Sequence, residues 1–355
     1  MPKMVSLQCS VSGLLFIGDP HLSSRKPGRR TDKDFTGTVL DKLDQAFQIA
    51  RKDSLLPVIL GDLFDRAGDN DCSMLSRLLK LLREHREQNG VTPISLVGNH
   101  DLKDARLSMD TALAVVRESG LLTLLEDAVP LTVPGVSVLW PLSYGQADGI
   151  HEMDGRLLCN DDGLPVIALT HGDFAFQGAY PGAAPMVEIP GVCMVVNGHM
   201  HKPAPDVRCG GAAPVAASSA GTGTLWCNPG NITRMSVDCE DDQPSVWSWC
   251  RGDHGLTRHV LRYEKTVFDR TGMSVLPDRA GLNEEMTVDG VPVNAHHSAF
   301  AELLKAQKAS DAPLTEDAGV LLEELDAVCV ERKAGPVVTA MLRGLLLKET
   351  TGEMV

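Results

Sequence analysis

Five short apolar runs in this chain each end in a cluster of glycine with aspartate, asparagine or histidine. In chain order the clusters are GDPH at 18–21, GDLFD at 61–65, GNHD at 98–101, THGD at 170–173 and NGHMH at 197–201. In open α/β sheets, loops at the carboxyl ends of strands lie side by side, and ligand sites collect there. We therefore expect five turns that are far apart along the chain to meet at one site.

The pattern around these clusters predicts a layered α/β fold. Short apolar runs predict strands at 14–17, 58–60, 94–97, 136–140, 166–169 and 193–196. Between them, apolar residues at helical spacing predict two amphipathic helices, one over 39–50 and one over 75–82. Strands that alternate with helices favour a mixed α/β domain.

The character of the sequence changes after residue 201, which predicts three regions. The main domain is expected at 1–235. Strand-like pieces near Leu225, Val237 and Val246 predict a return to the sheet and then a small β-rich cap or appendage at 236–282. The tail at 283–355 has two apolar stripes at helical spacing, separated by Gly335 and Pro336, which predicts a helical hairpin.

Composition narrows the class of protein and its surroundings. The formal net charge of −14 argues against a surface that attracts nucleic acid everywhere, but it leaves room for a local basic groove. Nine cysteines without a C-x-x-C pair predict reduced thiols. No apolar run approaches the roughly 18 residues of a membrane span, and the first residues lack the apolar region of a secretory signal. We expect a cytoplasmic protein that does not contact a membrane.

The residue types in the five clusters are those that divalent metals prefer, namely carboxylate, imidazole and amide oxygen. Seven side chains form the predicted ligand set: Asp19, His21, Asp62, Asn99, His171, His199 and His201. Asp62 can bridge two ions through its two oxygens, and His199 and His201 share a face because they are two apart in an extended segment. Two ions about 3.5–4 Å apart can clamp a phosphoryl group. The set therefore predicts a two-metal site.

The five clusters, in this order, resemble the motif series of calcineurin-like metallophosphoesterases over residues 12–235. The resemblance implies a four-layer α/β sandwich, in which two mixed β-sheets are flanked by helices. It also implies two metal sites, one formed by Asp19, His21, Asp62 and His201 and the other by Asp62, Asn99, His171 and His199. His100 would contact the phosphate or protonate the leaving oxygen, and Asp101 would orient His100.

The chemistry that follows is hydrolysis of a phosphodiester. Two cations lower the pKa of a bridging water, so that hydroxide exists near neutral pH, and they neutralise the phosphate oxygens that it attacks. His100, one residue beyond a metal ligand, is placed to protonate the departing alcohol. Manganese is the expected ion for a nuclease of the kind considered next, while iron, zinc, cobalt or magnesium suit the same ligands.

Three details favour DNA as the substrate. The segment GDLFDR, followed by a leucine-rich helix and GNHD, resembles the SbcD-like DNA exonuclease subunits. The NPGN turn at 228–231 resembles that family's Pro-Gly-Ser turn, with asparagine in place of serine. A basic loop after the first cluster could grip a phosphate backbone. The predicted substrate-binding residues are Arg25, Lys26, Arg29, Arg30, Asn231 and Arg234.

Other readings of partner and substrate stay open. The resemblance implies a coiled-coil ATPase partner of the SbcC type, bound through the C-terminal helices, whereas those helices could instead pack on their own domain, and a homodimer is compatible with the sequence. The alternative function is a small-substrate phosphodiesterase that acts on cyclic nucleotides or dinucleotides. A protein phosphatase is disfavoured because that branch typically reads GNHE where this chain has Asp101.

Overall fold

The computed structural model describes seven stretches of the chain: 4–158, 163–176, 182–210, 223–253, 255–271, 287–288 and 291–292. The chain divides into two compact units, Met1–Thr271 and Gly272–Val355. In the second unit the described residues form a short antiparallel pair, Thr287–Val288 with Val291–Pro292. The helical stripes predicted within 283–355 lie outside the described residues.

The larger sheet of the first unit has seven strands. They are β1 Val5–Ser6, β6 Leu131–Val133, β7 Ser137–Leu142, β8 Val166–His171, β9 Val192–Gly198, β10 Ala204–Cys209 and β11 Thr224–Asn228. The order across the sheet is β1-β6-β7-β8-β9-β11-β10. Strands β7, β8, β9 and β11 run parallel, so the ends of β8 and β9 that carry two predicted clusters lie next to each other.

The second sheet has six strands. They are β2 Gly13–Ile17, β3 Leu55–Ile59, β4 Ile94–Ser95, β5 Thr123–Leu124, β12 Ser245–Cys250 and β13 Thr257–Val260. Their order is β13-β12-β2-β3-β4-β5. Strands β2, β3 and β4 are parallel neighbours, which brings the other three clusters to one edge.

The segment predicted as a β-rich appendage contributes to this second sheet. Strand β12 pairs antiparallel with β2, the strand that leads to the first cluster, and β13 pairs with β12. The predicted boundary at residue 235 therefore falls inside the first compact unit. The strand expected near Val237 is instead a 3₁₀ turn, Val237–Cys239.

In the described part of the chain, three α-helices pack on the six-stranded sheet. They are α1 Phe35–Lys52, α2 Cys72–Asn89 and α3 Ala112–Glu118. The side chains of Asp34 and Asp71 cap α1 and α2 by accepting backbone N–H bonds, and Gly90 ends α2 in the left-handed region. None of the helices in the described residues has both the length and the apolarity needed to cross a membrane.

Successive side chains along a strand point to opposite faces of its sheet, so the apolar residues of one strand contribute to two different core layers. Leu14 and Phe16 of β2 face the core between the two sheets, where they join Ile167 of β8. Leu15 and Ile17 face the helices. The outer face of the seven-stranded sheet is covered by loops and by the 3₁₀ turns Ala147–Glu152 and Gly155–Leu158. The predicted α/β sandwich of two mixed sheets is confirmed.

One core residue makes folding stability sensitive to acid. His85 of α2 is fully buried, and its ring centroid lies 4.4 Å from that of Phe47 on α1. Neither ring nitrogen has a hydrogen-bond partner among the described residues. Burial lowers the pKa of His85 to about 4, because the charged ring would lose its hydration.

Replacing His85 with leucine is expected to flatten the pH dependence of stability. Between pH 6.5 and 4 the unfolded chain binds a proton that the folded chain does not, so stability present above pH 6.5 is lost as the pH falls. At pH 5 this loss is about 2 kcal/mol for the wild type and absent for His85→Leu. Urea unfolding at pH 7.5 and pH 5 measures it. His151→Gln, at an exposed position, should keep the wild-type dependence, and equal slopes for wild type and His85→Leu would contradict the assignment.

Candidate metal centre

The turns after β2, β3, β4, β8 and β9 bring all seven predicted ligand side chains into one cluster. Its members are Asp19, His21, Asp62, Asn99, His171, His199 and His201, and each lies within 4 Å of at least one other through side-chain or backbone atoms. Five segments separated by up to 180 positions thus meet where strands of both sheets end. This convergence is what the five clusters predicted.

One half of the cluster is formed by Asp62, Asn99, His171 and His199. The Oδ1 atom of Asn99 lies 3.2 Å from Nε2 of His171 and 3.0 Å from Nδ1 of His199. Nε2 of His171 lies 3.4 Å from Oδ2 of Asp62. Ligand atoms of Asp62, His171 and His199 all lie within 4.8 Å of one another, a spacing that one divalent cation could occupy.

The other half is centred on two facing histidines. Nε2 of His21 lies 2.9 Å from Nε2 of His201 and 3.8 Å from Oδ2 of Asp62. Asp62 therefore contacts both halves, as a bridging carboxylate must. The carboxylate of Asp19 lies beside the first half, because its Oδ1 accepts the backbone N–H of His199 at 3.1 Å and lies 3.7 Å from Nδ1 of His171.

Backbone strain is concentrated at these positions. Asp19, His21, Asp62 and His199 have φ values of 30°, 48°, 45° and 75°, in the left-handed region that non-glycine residues rarely adopt. Such strain costs on the order of 1–3 kcal/mol per residue and clusters at functional sites. Four of the seven predicted ligand side chains are therefore directed into the cluster by strained backbone conformations.

Two glycines allow the turns to approach each other closely. A Cβ atom on Gly98 would lie 2.0 Å from Oδ1 of Asp62, and one on Gly61 would lie 2.5 Å from Nδ1 of His171. Gly61 also has a φ of +100°, which a side chain would strain. Any side chain at either position would displace a predicted ligand.

Polar atoms buried in the cluster lack partners. Oδ2 of Asp19, Oδ2 of Asp62 and Nδ1 of His21 have no hydrogen-bond partner among the described residues. Asp19 and His171 are fully buried, and Asp62 and His21 are 1% exposed. Buried carboxylates need a compensating charge, and a divalent cation bound to these atoms would supply it. The donor set thus fits two divalent ions.

The pKa values show the same need for charge. Burial raises the pKa of Asp19 to about 7, whereas at Asp62 burial is outweighed chiefly by the nearby His171 ring, whose charge holds the pKa of Asp62 below its usual value. Burial lowers the pKa of His21 to about 3 and lowers those of His199 and His201. These three rings are therefore neutral at physiological pH, which is the form that binds metal ions.

Backbone carbonyls orient two of the rings. Nδ1 of His171 lies 2.7 Å from the carbonyl oxygen of Leu60, and Nδ1 of His100 lies 2.8 Å from that of Asp65. A carbonyl can only accept, so both Nδ1 atoms carry a hydrogen and Nε2 is the ring nitrogen left to serve a ligand or substrate. Nε2 of His171 lies beside the other proposed ligand atoms, 3.2 Å from Oδ1 of Asn99 and 3.4 Å from Oδ2 of Asp62. His100 is exposed, while its backbone N–H donates to Asp62.

The structure corrects the expected role of Asp101. Its carboxylate is fully buried and accepts the backbone N–H groups of Gly98 at 3.0 Å and Phe64 at 3.1 Å. Asp101 therefore ties together the turns after β3 and β4, and the Asp65 carbonyl orients His100 instead. Burial, followed by the charge of Asp62, raises the pKa of Asp101 to about 7.

Three residues at the site received no role from the sequence. Asp65 groups with His21 and His100 as a possible set of metal ligands. Asp173 places Oδ1 3.3 Å from Nε2 of His199. Both aspartates end quoted clusters, GDLFD and THGD, so their signal was present but ambiguous. Tyr144, whose ring centroid lies 5.9 Å from that of His199, follows no motif and only the fold reveals it.

Two predicted substrate-binding arginines have a structural position instead. Arg30 is 4% exposed, pairs with Asp32 at 2.7 Å and donates to the carbonyl oxygen of Arg234 at 2.9 Å. Arg234 is 3% exposed and donates to three backbone carbonyls. Neither guanidinium is available to a phosphate backbone, which corrects the prediction for both.

The other four predicted substrate residues differ in position. Arg25, Lys26 and Arg29 are exposed, and Arg29 donates to the carbonyl oxygens of residues 269 and 271. Asn231 is buried, and its backbone N–H donates to the carbonyl oxygen of His201 at 2.9 Å. Arg25 and Lys26 thus remain accessible at the surface, while Asn231 supports the cluster from behind.

The family follows from a match that covers this site. The model of the calcineurin-like phosphoesterases matches residues 13–203, more than half of the chain. The chain belongs to this family. Its members are metal-dependent hydrolases that typically hold two divalent ions, and all seven clustered side chains of this calcineurin-like phosphoesterase lie within the matched residues.

Two solved structures are similar to the chain at low identity. A 5'-nucleotidase precursor from Thermus thermophilus is 13% identical, with a TM-score of 0.36, and the match covers 66% of this chain and 50% of that one. The chain thus spans about half the length of that precursor. A hypothetical protein from the same organism is 15% identical, with a TM-score of 0.37, over 70% of this chain and 98% of that one. No curated protein matches the chain.

Replacing Asp62 with alanine is expected to abolish metal binding at both positions, because its carboxylate contacts both halves of the cluster. Mass spectrometry of metals in the purified variant, loaded with Mn²⁺, measures the ions per chain. Asp110→Ala, which removes an exposed carboxylate that pairs with Lys103, should bind as many ions as the wild type. A folded Asp62→Ala chain with its full metal content would refute the bridging role.

Proposed function

We propose that this calcineurin-like phosphoesterase hydrolyses phosphodiester bonds with two divalent cations, and that its substrate is DNA. The proposed ligands are Asp19, His21, Asp62 and His201 for one ion and Asp62, Asn99, His171 and His199 for the other. The observation that carries the proposal is the convergence of these side chains around buried polar atoms that lack partners within the described residues.

Each part of the site has a separate task in this proposal. When bound, the two cations lower the pKa of a water molecule and offset the charge of the phosphate oxygens. The Leu60 carbonyl holds His171 in one tautomer, and Asp101 fixes the turns that present Asp62 and Asn99. Manganese is the ion we propose for a nuclease, since carboxylate, imidazole and amide oxygen suit it.

His100 is the proposed proton donor to the leaving oxygen. Its ring is exposed at the rim, packs edge-on against His21 with centroids 4.9 Å apart, and leaves Nε2 free. Because the Asp65 carbonyl accepts from Nδ1, the ring keeps its orientation whether or not Nε2 carries a proton. His100 is therefore positioned to donate a proton to the leaving oxygen.

Replacing His100 with asparagine is expected to keep both metals and to slow hydrolysis of a dinucleotide by about 10²–10⁴-fold, the usual contribution of a general acid. With bis-p-nitrophenyl phosphate the loss should be far smaller, because p-nitrophenolate departs without a proton. Steady-state kcat values for both substrates, with metal content measured in parallel, give the comparison. Equal losses would assign His100 to phosphate binding, and unchanged turnover on both would remove it from the mechanism.

The open rim of the site supports a large substrate. His100, Tyr144 and Asp173 are all exposed beside the clustered ligands, whereas small-molecule sites bury most of the ligand surface. The Tyr144 ring beside His199 offers a face on which a base could stack. Arg25 and Lys26, exposed a few residues beyond His21, could contact the phosphate backbone.

A small-substrate phosphodiesterase, acting on cyclic nucleotides or dinucleotides, is the second candidate. The burial of Arg30 and Arg234 favours it, because two of the six residues predicted to bind DNA are unavailable. A coiled-coil ATPase partner, bound through residues 283–355, is proposed only if the substrate is DNA.

A substrate panel with Mn²⁺ separates the two candidates. Linear duplex DNA, single-stranded DNA, a cyclic nucleotide and bis-p-nitrophenyl phosphate are each incubated with the protein and with Asp62→Ala. DNA cleavage by the wild type alone is the expected result. Hydrolysis of the chromogenic diester and the cyclic nucleotide without DNA cleavage would establish the small-substrate function, and no hydrolysis of any of them would defeat both.

A further inference from the structure

A second cluster of charged side chains lines a cavity of about 50 Å³. The cavity lies between α1, the basic loop at 25–30, the segment that follows β11, and residues 263–267. One water molecule needs roughly 10–15 Å³ of such space, so the cavity has room for several waters or one small ion. The residues on which its chemistry depends are Arg30, Asp32, Lys42, Thr233, Arg234 and Tyr263.

Three of these side chains are cationic and buried. Arg30, Lys42 and Arg234 are 4%, 5% and 3% exposed. Aromatic rings pack against them, since the guanidinium of Arg234 lies 4.9 Å from the Tyr263 ring centroid and Lys42 Nζ lies 5.8 Å from the same ring. Three positive charges thus meet in a region with little solvent.

Among the described residues, carboxylates compensate only one of these charges directly. Asp32 accepts two hydrogen bonds from Arg30, at 2.7 and 2.9 Å. Lys42 and Arg234 donate to backbone carbonyls, and within the described part of the chain neither has a carboxylate at ion-pair distance. Burial lowers the pKa of Lys42 to about 8 and also lowers that of Arg234, which shows the cost of leaving these cations without counter-charges.

The nearest other acids are engaged elsewhere. Asp41 pairs with Arg262 at 3.6 Å, and Glu240 pairs with Arg270. Glu264 lines the cavity but has an exposed side chain. Asp41 acts on Lys42, and Glu240 and Asp242 act on Arg234, but burial outweighs them and the pKa of each cation stays below its usual value.

Two polar atoms on the cavity-lining residues also lack partners. Nε of Arg234 and Oγ1 of Thr233 are buried and have no hydrogen-bond partner within the described stretches. Leaving a buried donor unsatisfied costs about 1–3 kcal/mol, so a group that accepts these hydrogens would be stabilised here. Donors and positive charge on one small cavity are the features of an oxyanion site.

We propose that this cavity binds a small tetrahedral oxyanion, inorganic phosphate or sulfate, between Lys42, Arg30 and Arg234. The ion would add counter-charge to that of the surrounding carboxylates and accept from donors that now have no partner in the described part of the chain. The proposed site is distinct from the metal centre, because it shares no residue with the seven clustered ligands. It therefore stands whether or not the chain hydrolyses DNA.

Thermal unfolding of the full chain with added sulfate tests the site, with chloride used to hold ionic strength constant. Sulfate at about 10 mM is expected to raise the unfolding temperature by a few degrees, because the ion binds only the folded state. Asp62→Ala should show the same shift, which separates the cavity from binding at the metal centre and from the fate of the proposed function. The absence of a shift in both proteins would overturn the site.

Charge and hydroxyl variants locate the ion. Lys42→Met keeps the aliphatic length but is expected to raise the sulfate concentration for a half-maximal shift by about tenfold or more, as for loss of one charge-assisted hydrogen bond. Lys80→Met, which removes an exposed lysine, should behave as the wild type. Thr233→Val removes only the hydroxyl, and if Lys42→Met does not fold, an unchanged response of Thr233→Val would overturn the site.

A final experiment distinguishes binding of a free ion from binding of the phosphate group of a nucleotide. Inorganic phosphate and adenosine 5'-monophosphate are compared in the Asp62→Ala background, where the metal centre does not compete. The small volume of the cavity, about 50 Å³, predicts a shift with inorganic phosphate and little with the nucleotide. A nucleotide shift equal to that of phosphate would show that a larger ligand is bound and would contradict the free-ion proposal.

Discussion

The architecture depends on placing two carboxylates, Asp19 and Asp62, where almost no solvent reaches them. Each keeps one oxygen without a partner within the described residues, and His171 lies between them with contacts of 3.7 and 3.4 Å. Negative charge in this position is stable only beside positive charge. Glycines that permit close approach, strained ligand backbones and neutral histidines all serve that requirement, since each lets donor atoms converge on cations.

Strand topology explains how such distant residues reach this point. Parallel neighbours β2, β3 and β4 end at one edge of their sheet, and parallel β8 and β9 end beside it. The antiparallel partner of β2, strand β12, comes from beyond residue 235, so the segment read as an appendage holds the strand that leads to Asp19. The site is therefore supported by residues well outside the motifs.

The sequence predicted the layered fold and the seven convergent side chains because both depend on local patterns, apolar runs and the turns that follow them. The sequence-based predictions failed where the type of a residue does not determine whether its side chain is buried or what it contacts. Arg25 and Arg30 belong to one basic loop, yet Arg25 is exposed and Arg30 is buried against Asp32. Asp65 and Asp101 both end motifs, and only the structure shows which of them contributes the group that holds His100. Long-range packing decides these cases.

Arg30 and Arg234, which the sequence predicted to contact DNA, are buried in one of two regions of this fold where charged side chains collect. The metal cluster collects buried negative charge and the cavity beside α1 collects buried positive charge, each with polar atoms that lack partners among the described residues. One short segment connects them: the backbone N–H of Asn231 donates to the His201 carbonyl, and Thr233 and Arg234 line the cavity. Because the two regions share this connection, ions of opposite sign bound at each would stabilise the same turn from its two sides. Ion binding at the two proposed sites would therefore be linked to stability, and either kind of ion should reinforce the folded state.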